Sequence, residues 1–373
     1  MAKPMNKTPS NIRAVVIGGS SITGGEVCRL LLGHPVVGTI IPTSRGDEPF
    51  ERVHQNLQGS GISFHKIEDV IKSVPAPDVA FFCTPSGEAM KYAHSLMNAG
   101  TRVIDLSADF RFKFAGDYEH VYKQKHLAVD LLGQAVCGIT ELYREKIANA
   151  QLVANPGCYV IASILGLMPL LKSEIIDHDS RIHICAINGT TGAGANMKRD
   201  LHHAYAFGSM LPYNLNGHRH RAEIEKRIEE TTSRHIDIDL TTIHGNFARG
   251  IVVLASIAVN PKVAETVNRK YLLNVYKTYY GSGDLRERFV IVNDQGSRVD
   301  DTHGKEYDIY PSLARVVGSN MCHIGVDYDH ETHLIKIISV IDNLVKGAAG
   351  SAIQNMNVML GIKEDEGLSA YGL

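Results

Sequence analysis

One cysteine, Cys158, stands in a local sequence suited to nucleophilic chemistry. It follows the turn sequence Ala154-Asn-Pro-Gly157 and precedes an apolar run, Tyr159 to Met168, that is typical of a helix. At a helix N-terminus the helix dipole favours the thiolate over the thiol, and a Pro-Gly turn lets a substrate approach. The alternative is a small buried hydrophobic residue. We expect that alternative for the other five cysteines, which lie in strand-like or helical runs: Cys28, Cys83, Cys137, Cys185 and Cys322.

A second candidate is the histidine-rich segment Asn216-Gly-His-Arg-His-Arg-Ala-Glu223, which leads into an amphipathic helical pattern. Histidine is the side chain best matched to proton transfer near neutral pH, and a carboxylate at helical spacing can orient it. His218 and Glu223 are therefore a candidate acid-base pair. The alternative is a basic surface, in which Arg219 and Arg221 bind anions.

A glycine-rich turn, Gly18 to Gly25, joins a short apolar run, Ala14 to Ile17, to a helical pattern from Glu26 to Leu32. Glycines between a strand and a helix let backbone amides meet a pyrophosphate at the positive helix end. A tight turn without a ligand is the alternative. The cofactor-binding residues predicted in this turn are Gly18, Ser20, Ser21, Ile22, Thr23 and Gly24, with Ser21 at the middle position of a GxxGxxG spacing.

Ser44 and Arg45 follow the second strand-like run, Val36 to Ile41. NAD-specific proteins tend to carry an acidic residue at this position, whereas an arginine accommodates a 2′-phosphate. The pair therefore favours NADP. A solvated surface arginine is the alternative.

The order of strand-like and helical runs predicts two domains. Alternating strands and helices up to residue 155 indicate a Rossmann-type, doubly wound α/β domain with a parallel sheet. From residue 156 to 342, period-two runs indicate an α+β, mostly antiparallel catalytic and oligomerisation domain, with one open sheet face that packs between subunits. A helical C-terminal segment, Val345 to Leu360, is expected to return to the first domain, which residues 343–373 would complete.

Composition excludes several classes of protein. The chain is 44% hydrophobic and 21% charged, which is typical of globular proteins and not of disordered ones. Lysine and arginine number 38 against 40 aspartate and glutamate, so the overall positive charge of a general nucleic-acid-binding protein is absent. No apolar run approaches the ~20 residues of a membrane span, and residues 1–10 lack the apolar centre of a secretion signal. We therefore expect a cytoplasmic protein without a metal site.

A nucleotide-binding turn, a reactive cysteine and a histidine together indicate hydride transfer to a thioester. At these residues the chain resembles the N-acetyl-gamma-glutamyl-phosphate reductases of arginine biosynthesis and their relatives that act on carrier-bound aminoadipyl or glutamyl phosphate. The resemblance covers nearly the whole chain. Its motifs are Gly18 to Glu26, Asp105-Leu-Ser-Ala-Asp-Phe-Arg111, Ala154 to Cys158, His218-Arg-His220, Arg249-Gly-Ile251, Gly318-Ser-Asn320 and Asp342 to Gly350.

The resemblance implies NADPH-dependent reduction of an acyl phosphate to a semialdehyde with release of phosphate. Cys158 would form a thioester, and His218, oriented by Glu223, would transfer protons. The family usually has glycine where Ser21 stands. Further cofactor-binding residues implied are Thr84, Pro85, Asn343 and Lys346. The implied substrate-binding residues are Arg111, Asn155, Lys198, Arg199 and Arg249.

The resemblance leaves the substrate open. A free acetylated glutamyl phosphate is the main expectation, and the alternative is an aminoadipyl or glutamyl group on an acidic carrier protein, used in lysine or arginine biosynthesis. Two other classes remain to be tested, a cysteine acyltransferase or hydrolase and a non-catalytic nucleotide sensor. A homo-oligomer, dimer or tetramer, is expected.

Overall fold

The computed structural model describes residues 11–281, 287–296 and 307–373. These residues divide into two compact units. The first contains residues up to Pro156 together with Ala348–Leu368, and the second contains Gly157–Gly347 together with Ser369–Leu373. The predicted division placed all of residues 343–373 in the first domain. Residues 343–347 and 369–373 belong instead to the second unit, where Leu373 N–H donates to Val317 O at 2.9 Å.

The first unit is built on a six-stranded parallel sheet with the strand order β2-β1-β3-β4-β6-β5. Its central strand β3 is buried throughout, as a parallel strand covered on both faces should be. The strands are β1 (Ile12–Ile17), β2 (Val37–Pro42), β3 (Val79–Phe82), β4 (Arg102–Asp105), β5 (Val136–Cys137) and β6 (Leu152–Ala154).

Helices connect these strands. They are α1 (Ile22–Leu32), α2 (Phe50–Val53), α3 (Ile67–Ile71), α4 (Ala89–Asn98), α5 (Ala115–Tyr122), α6 (Val129–Leu132) and α7 (Thr140–Ala148). A late helix, Gly350–Met359, also belongs to this unit, where it packs against α1, α7 and β4.

The second unit is built on a seven-stranded sheet with the order β11-β12-β13-β10-β7-β9-β8. Its strands are β7 (Ile182–Asn188), β8 (Leu211–Tyr213), β9 (Ile238–His244), β10 (Ile251–Ala258), β11 (Val290–Val292), β12 (Cys322–Asp329) and β13 (Leu334–Ile341). The pairs β11–β12 and β7–β9 are parallel, and the other pairs are antiparallel. The two sheets confirm the predicted fold class.

Helices cover one face of this second sheet. They are α8 (Cys158–Leu171), α10 (Arg219–Thr232) and α11 (Arg269–Tyr280), which pack on the strands. A further short helix, α9 (His203–Ala206), lies between β7 and β8 in the chain. On β10, buried residues alternate with partly exposed ones, and Leu254 on the open face is 42% exposed. None of the helices in the described ranges is long and apolar enough to cross a membrane.

The predicted helix from Val345 to Leu360 is more irregular than its sequence indicates. It opens with a π-helical turn, Val345–Ala349, and only then continues as α12 (Gly350–Met359). In this turn the Lys346 ammonium lies 5.4 Å from the centre of the Phe289 ring, although its side chain is only 1% exposed. Such π-helical turns frequently occur at functional sites.

Candidate active site

Cys158 is the first residue of α8, as the sequence predicts. Gly157 is the N-cap in an extended conformation and contributes no side-chain cap, so backbone amides at this helix end remain available to other acceptors. The Cys158 side chain is half-buried, and of the other five cysteines only Cys185 is also partly exposed. Burial raises the pKa of the Cys28 thiol to about 12 and also raises that of Cys185. Position and exposure together single out Cys158 as the candidate nucleophile.

Two glycines allow the chain to close tightly around this cysteine. A Cβ atom added at Gly157 would overlap the imidazole of His220, and one added at Gly347 would lie 2.8 Å from Cys158 Cβ. Real Cβ atoms essentially never approach other heavy atoms so closely. The π-helical turn can therefore lie this close to the nucleophile only because residue 347 is glycine.

His218 and Glu223 are not hydrogen-bonded to each other in the part of the chain that is described, contrary to the predicted pairing. His218 is the N-cap of α10, and its Nδ1 accepts a hydrogen bond from His220 N–H at 3.1 Å. Glu223 is 1% exposed, and its Oε1 accepts from Gly157 N–H at 3.2 Å. Glu223 thus fixes the residue that precedes the nucleophile. The prediction was wrong because α10 begins at Arg219, which places His218 outside the helix.

The electrostatic surroundings of His218 keep its imidazole neutral. Burial, followed by the positive charges of Arg219 and His244, lowers the pKa of His218 to about 4. Because Nδ1 accepts from His220 N–H, the proton of the neutral ring lies on Nε2. His218 can therefore offer a hydrogen-bond donor at neutral pH.

His220 was missed by the sequence analysis as a site residue. Its ring packs against Gly157 and lies 5.7 Å, centre to centre, from the ring of Tyr159. A signal was present, because His220 falls in helical phase with Ile224 and Ile228 on the buried face of α10. His218 lies outside that phase.

Two predicted ligand-binding residues of the second unit are engaged in structural bonds. Arg249 forms an ion pair with buried Asp342, with Nε 3.1 Å from Oδ2. The Asn343 amide accepts from Gly250 N–H at 2.6 Å and donates to Thr191 Oγ1 at 3.0 Å. The Asn343 amide and the buried Lys346 side chain are therefore held by contacts within the second unit, and their assignment to the cofactor stays a prediction. Arg249 keeps an exposed fraction of 26%.

The predicted substrate ligands of the first unit are also engaged in structural bonds. Asn155 is 1% exposed, and its side-chain oxygen accepts from Ser351 and Asn355. Arg111 donates to the carbonyl oxygens of Asn155 and Leu106, at 3.1 and 3.0 Å. Asn155 is thus buried and held by structural bonds, and Arg111 braces the turn that leads to Gly157. The assignment of both residues to the substrate stays a prediction.

Lys198 and Arg199 lie on the exposed segment between β7 and α9. The Arg199 guanidinium lies 5.6 Å from the centre of the Tyr205 ring. No contact described for either side chain reaches Cys158, so their assignment to the substrate stays a prediction.

The glycine-rich turn of the first unit has the geometry of a phosphate cradle. Gly18 has φ +80°, and a Cβ atom there would lie 2.6 Å from the carbonyl oxygen of Cys83. Ser21, which stands where the family usually has glycine, is the N-cap of α1. Its Oγ accepts from Gly24 N–H at 2.9 Å and donates to Cys83 O at 3.1 Å. The serine side chain thus turns inward, and the first-turn amides of Ile22 and Thr23 have no intrahelical acceptor.

Two further features of the first unit suit a bound dinucleotide. Thr84 Oγ1 is buried beside Gly18 and has no hydrogen-bond partner among the described residues. A cavity of about 530 Å³ lies at the end of β2, lined among others by Ser44, Phe64, His65 and Lys66. Sequence analysis missed the last three of these residues. Of the other predicted positions, Ser20, Arg45 and Pro85 are exposed.

Buried Asp109 fixes the segment that follows β3. Its carboxylate accepts from Gly87 N–H at 2.7 Å, Met90 N–H at 3.1 Å and the Tyr118 hydroxyl at 3.1 Å. Burial, followed by the charge of Asp109, raises the pKa of neighbouring Asp105 to about 7. The Asp105–Arg111 motif therefore positions the backbone around Thr84, and sequence reasoning had assigned no role to Asp109.

Comparison with protein families gives two matches that together cover most of the chain. Residues 13–150 match the semialdehyde dehydrogenase NAD-binding domain, and residues 158–343 match the semialdehyde dehydrogenase dimerisation domain. The boundary between the matches falls between β6 and Cys158.

Curated relatives include two reductases that are equally similar to this chain. A putative [LysW]-L-2-aminoadipate/[LysW]-L-glutamate phosphate reductase of Caldivirga maquilingensis is 38% identical over 363 residues, covering 95% of this chain and 97% of its own. An N-acetyl-gamma-glutamyl-phosphate reductase of Acidithiobacillus ferrooxidans is 38% identical over 366 residues, covering 97% and 99%.

Solved structures share the fold at low sequence identity. Aspartate semialdehyde dehydrogenase II of Vibrio cholerae superposes with a TM-score of 0.63 at 16% identity, over 94% of this chain and 98% of its own. The Candida albicans aspartate semialdehyde dehydrogenase, solved with NADP, gives a TM-score of 0.61 at 13% identity over the same shares.

Proposed function

Because the chain belongs to the semialdehyde dehydrogenase family, we propose that it uses NADPH to reduce N-acetyl-gamma-glutamyl phosphate to N-acetylglutamate semialdehyde, with release of phosphate. The observation that carries the proposal is the half-buried Cys158 at the start of α8, held between Gly157 and Gly347. Of the five other cysteines, four are buried and Cys185 lies on a strand.

The residues around Cys158 account for the covalent steps. The thiolate attacks the acyl carbon, the C–O bond to phosphate breaks, and a thioester forms. When bound, NADPH supplies the hydride that reduces this thioester to a thiohemiacetal. Release of the aldehyde then breaks the C–S bond and regenerates the cysteine. His218 Nε2–H donates to the developing negative charge, while Glu223 holds Gly157 in position.

Cofactor binding is proposed for the first unit. The amides of Ile22 and Thr23 and the free Thr84 hydroxyl would hold the diphosphate and its ribose. Ser44, His65 and Lys66 would face the adenosine end, where a hydroxyl, an imidazole and an ammonium group can bond a 2′-phosphate. Ser44 and Arg45 follow β2 in place of the acidic residue that NAD-specific proteins tend to carry there, which supports NADPH over NADH.

A reverse assay tests the reaction and its substrate. We expect NADP reduction at 340 nm with phosphate and free N-acetylglutamate semialdehyde, and little with aminoadipate semialdehyde attached to its acidic carrier protein. The opposite preference would place the enzyme with the carrier-dependent relatives. No NADP reduction with either substrate would refute the proposal, and an arm without phosphate controls for simple aldehyde oxidation.

Phosphate release from the acyl phosphate, measured without NADPH, distinguishes the reductase from the rival cysteine hydrolase. A phosphorylating reductase releases at most about one phosphate per Cys158 under these conditions, because the thioester waits for hydride. Continuous release would indicate hydrolysis. A nucleotide sensor would release none.

His218→Asn tests the role of the neutral imidazole. With a pKa of about 4 the ring is uncharged above pH ~5. The substitution should therefore lower kcat about 10²-fold without shifting any pKa that the pH-rate profile shows near neutral pH. If the profile of the variant lost its pH dependence near neutral pH, this role would be contradicted. His183→Asn, at an exposed histidine paired with Asp239, is the matched control.

We propose that the open face of the second sheet forms a homodimer, which the match to a dimerisation domain supports. Leu254→Asp places a charge on this face beside Cys185 and Ile338 on the adjacent strands, so we expect monomers in analytical ultracentrifugation. Leu127→Asp, at a 63% exposed leucine of the first unit, should leave the oligomer intact. An unchanged Leu254→Asp oligomer would refute this interface.

We also propose a cytoplasmic location. None of the six cysteines, all of which lie in the described ranges, forms a disulfide, which fits a reducing compartment.

A further inference from the structure

A buried histidine of the first unit, His54, contacts the glycine-rich turn from outside that turn. It follows α2 directly and is 9% exposed. Its Nε2 lies 2.7 Å from the carbonyl oxygen of Gly19. Because a carbonyl oxygen only accepts, Nε2 carries the proton and donates it. This hydrogen bond joins His54 to the proposed diphosphate site, in which it has had no role so far.

The start of the glycine-rich turn is held by two partners. Gly19 N–H donates to Thr43 O at 2.9 Å, and Gly18 N–H donates to Thr43 Oγ1 at 3.3 Å, so the residue after β2 fixes the amides. His54 fixes the carbonyl oxygen of Gly19. Gly19 is buried, and within the described ranges no second hydrogen bond reaches this oxygen. Without the imidazole a buried acceptor would be left unpaired, which favours a displaced turn.

Gly25 leaves the space that the imidazole occupies. It is a buried residue in the first turn of α1. A Cβ atom added there would lie 2.4 Å from Cε1 and 2.5 Å from Nδ1 of His54, closer than real Cβ atoms come to other heavy atoms. An alanine at position 25 would therefore push the ring away from its place beside Gly19. The hydrogen bond from His54 thus depends on a glycine in the helix that begins at the turn.

The His54 ring also packs against the wall of the cavity at the end of β2. Its centre lies 5.1 Å from that of Phe50 and 6.4 Å from that of Phe64. Both phenylalanines line the cavity, and their own ring centres are 5.1 Å apart. The His54 backbone is fixed too, because its N–H donates to Phe50 O at 2.8 Å. One side chain therefore contacts both the wall of the proposed adenosine site and the turn proposed for the diphosphate.

We propose that His54 is a positioning residue for NADPH, which holds the glycine-rich turn at a fixed distance from the adenosine cavity through its hydrogen bond to Gly19 O. The inference rests on the proposed cofactor site. The adenosine and diphosphate groups are covalently joined, so both bind well only if their two sites are already correctly spaced. His54 acts through the turn and the cavity wall, and its role requires no contact with the cofactor.

Fluorescence titration with NADPH tests the proposal without turnover. His54→Phe keeps an aromatic ring and removes the donor, so we expect the Kd for NADPH to rise about tenfold. His54→Gln restores an N–H donor on the side chain and should bring the Kd back to within about threefold of the unmodified protein. Gly25→Ala displaces the ring from the other side and should weaken binding about as much as His54→Phe.

Two further measurements separate positioning from general damage to the first unit. Adenosine 2′-phosphate carries the adenosine end without the diphosphate, so calorimetric titration should give nearly the same Kd for this probe in His54→Phe and in the unmodified protein. Hydrogen exchange of the free protein should show faster exchange of the amides from Gly18 to Gly25 in His54→Phe, with the core strand β3 unchanged.

His94→Phe is the matched control, because His94 is an exposed histidine of the same unit that pairs with Asp130 at 3.0 Å. It should leave all three measurements unchanged. Normal NADPH affinity in His54→Phe, or equal losses of affinity for NADPH and adenosine 2′-phosphate, would overturn the proposal. Should His54→Phe fail to fold, Gly25→Ala decides by the same criteria. Absence of NADPH binding by the unmodified protein would instead refute the proposed cofactor.

Discussion

Cys158→Ala is expected to remove reduction of the acyl phosphate, with a fall in kcat/KM of about 10⁴-fold or more, since no other group can form the thioester. NADPH binding should persist, because the phosphate cradle at Gly18 and the cavity at Ser44 belong to the first unit. Turnover is measured by NADPH absorbance, and binding by quenching or enhancement of NADPH fluorescence.

Cys185→Ala provides the control for this variant, because Cys185 is the other partly exposed cysteine. It should retain near-normal turnover. Reduction at more than a few per cent of the normal rate by Cys158→Ala would show that the reaction needs no thioester, and would remove the covalent route from the mechanism.

Gly347→Ala is expected to lower kcat about 10²-fold while the protein remains folded. The new methyl group would lie 2.8 Å from Cys158 Cβ, so either the π-helical turn or the start of α8 must shift, and misplacing a reacting group by about 1 Å costs this much in rate. Steady-state kinetics combined with thermal unfolding separates a catalytic defect from instability.

Gly116→Ala is the matched substitution, because a Cβ atom at this position in α5 meets no atom within 4 Å and requires no movement. We expect unchanged kinetics and equal or slightly higher stability. Normal turnover in Gly347→Ala would show that the turn yields without moving the nucleophile.

The fold was predictable because its signals are local. Alternation of strand-like and helical runs up to residue 155 indicated the parallel sheet, and period-two runs such as Ile182 to Ile187 indicated strands of the second sheet. Cys158 was placed at a helix start by the Pro-Gly turn before it and the apolar run, Tyr159 to Met168, after it. These features depend on residues that are close together in the chain, so they can be recognised in the sequence.

The partners of polar side chains were less predictable. Glu223 was expected to orient His218, yet it bonds Gly157, 66 positions earlier in the chain. Asn155 and Asn343 stand in motifs that resemble a site, but burial commits their amides to structural bonds. Pairings between distant segments depend on tertiary packing, which local spacing does not reveal.

The close approach of Gly347 to Cys158 has a topological consequence. These residues lie at the two ends of the uninterrupted stretch Gly157–Gly347, which is the second unit apart from Ser369–Leu373. This stretch therefore begins and ends at nearly the same point. An inserted module whose ends adjoin can be circularly permuted, or transplanted between host proteins, through a linker of very few residues. The reacting sulfur would then lie next to the new junction, so a change in linker length would displace it before other residues of the unit.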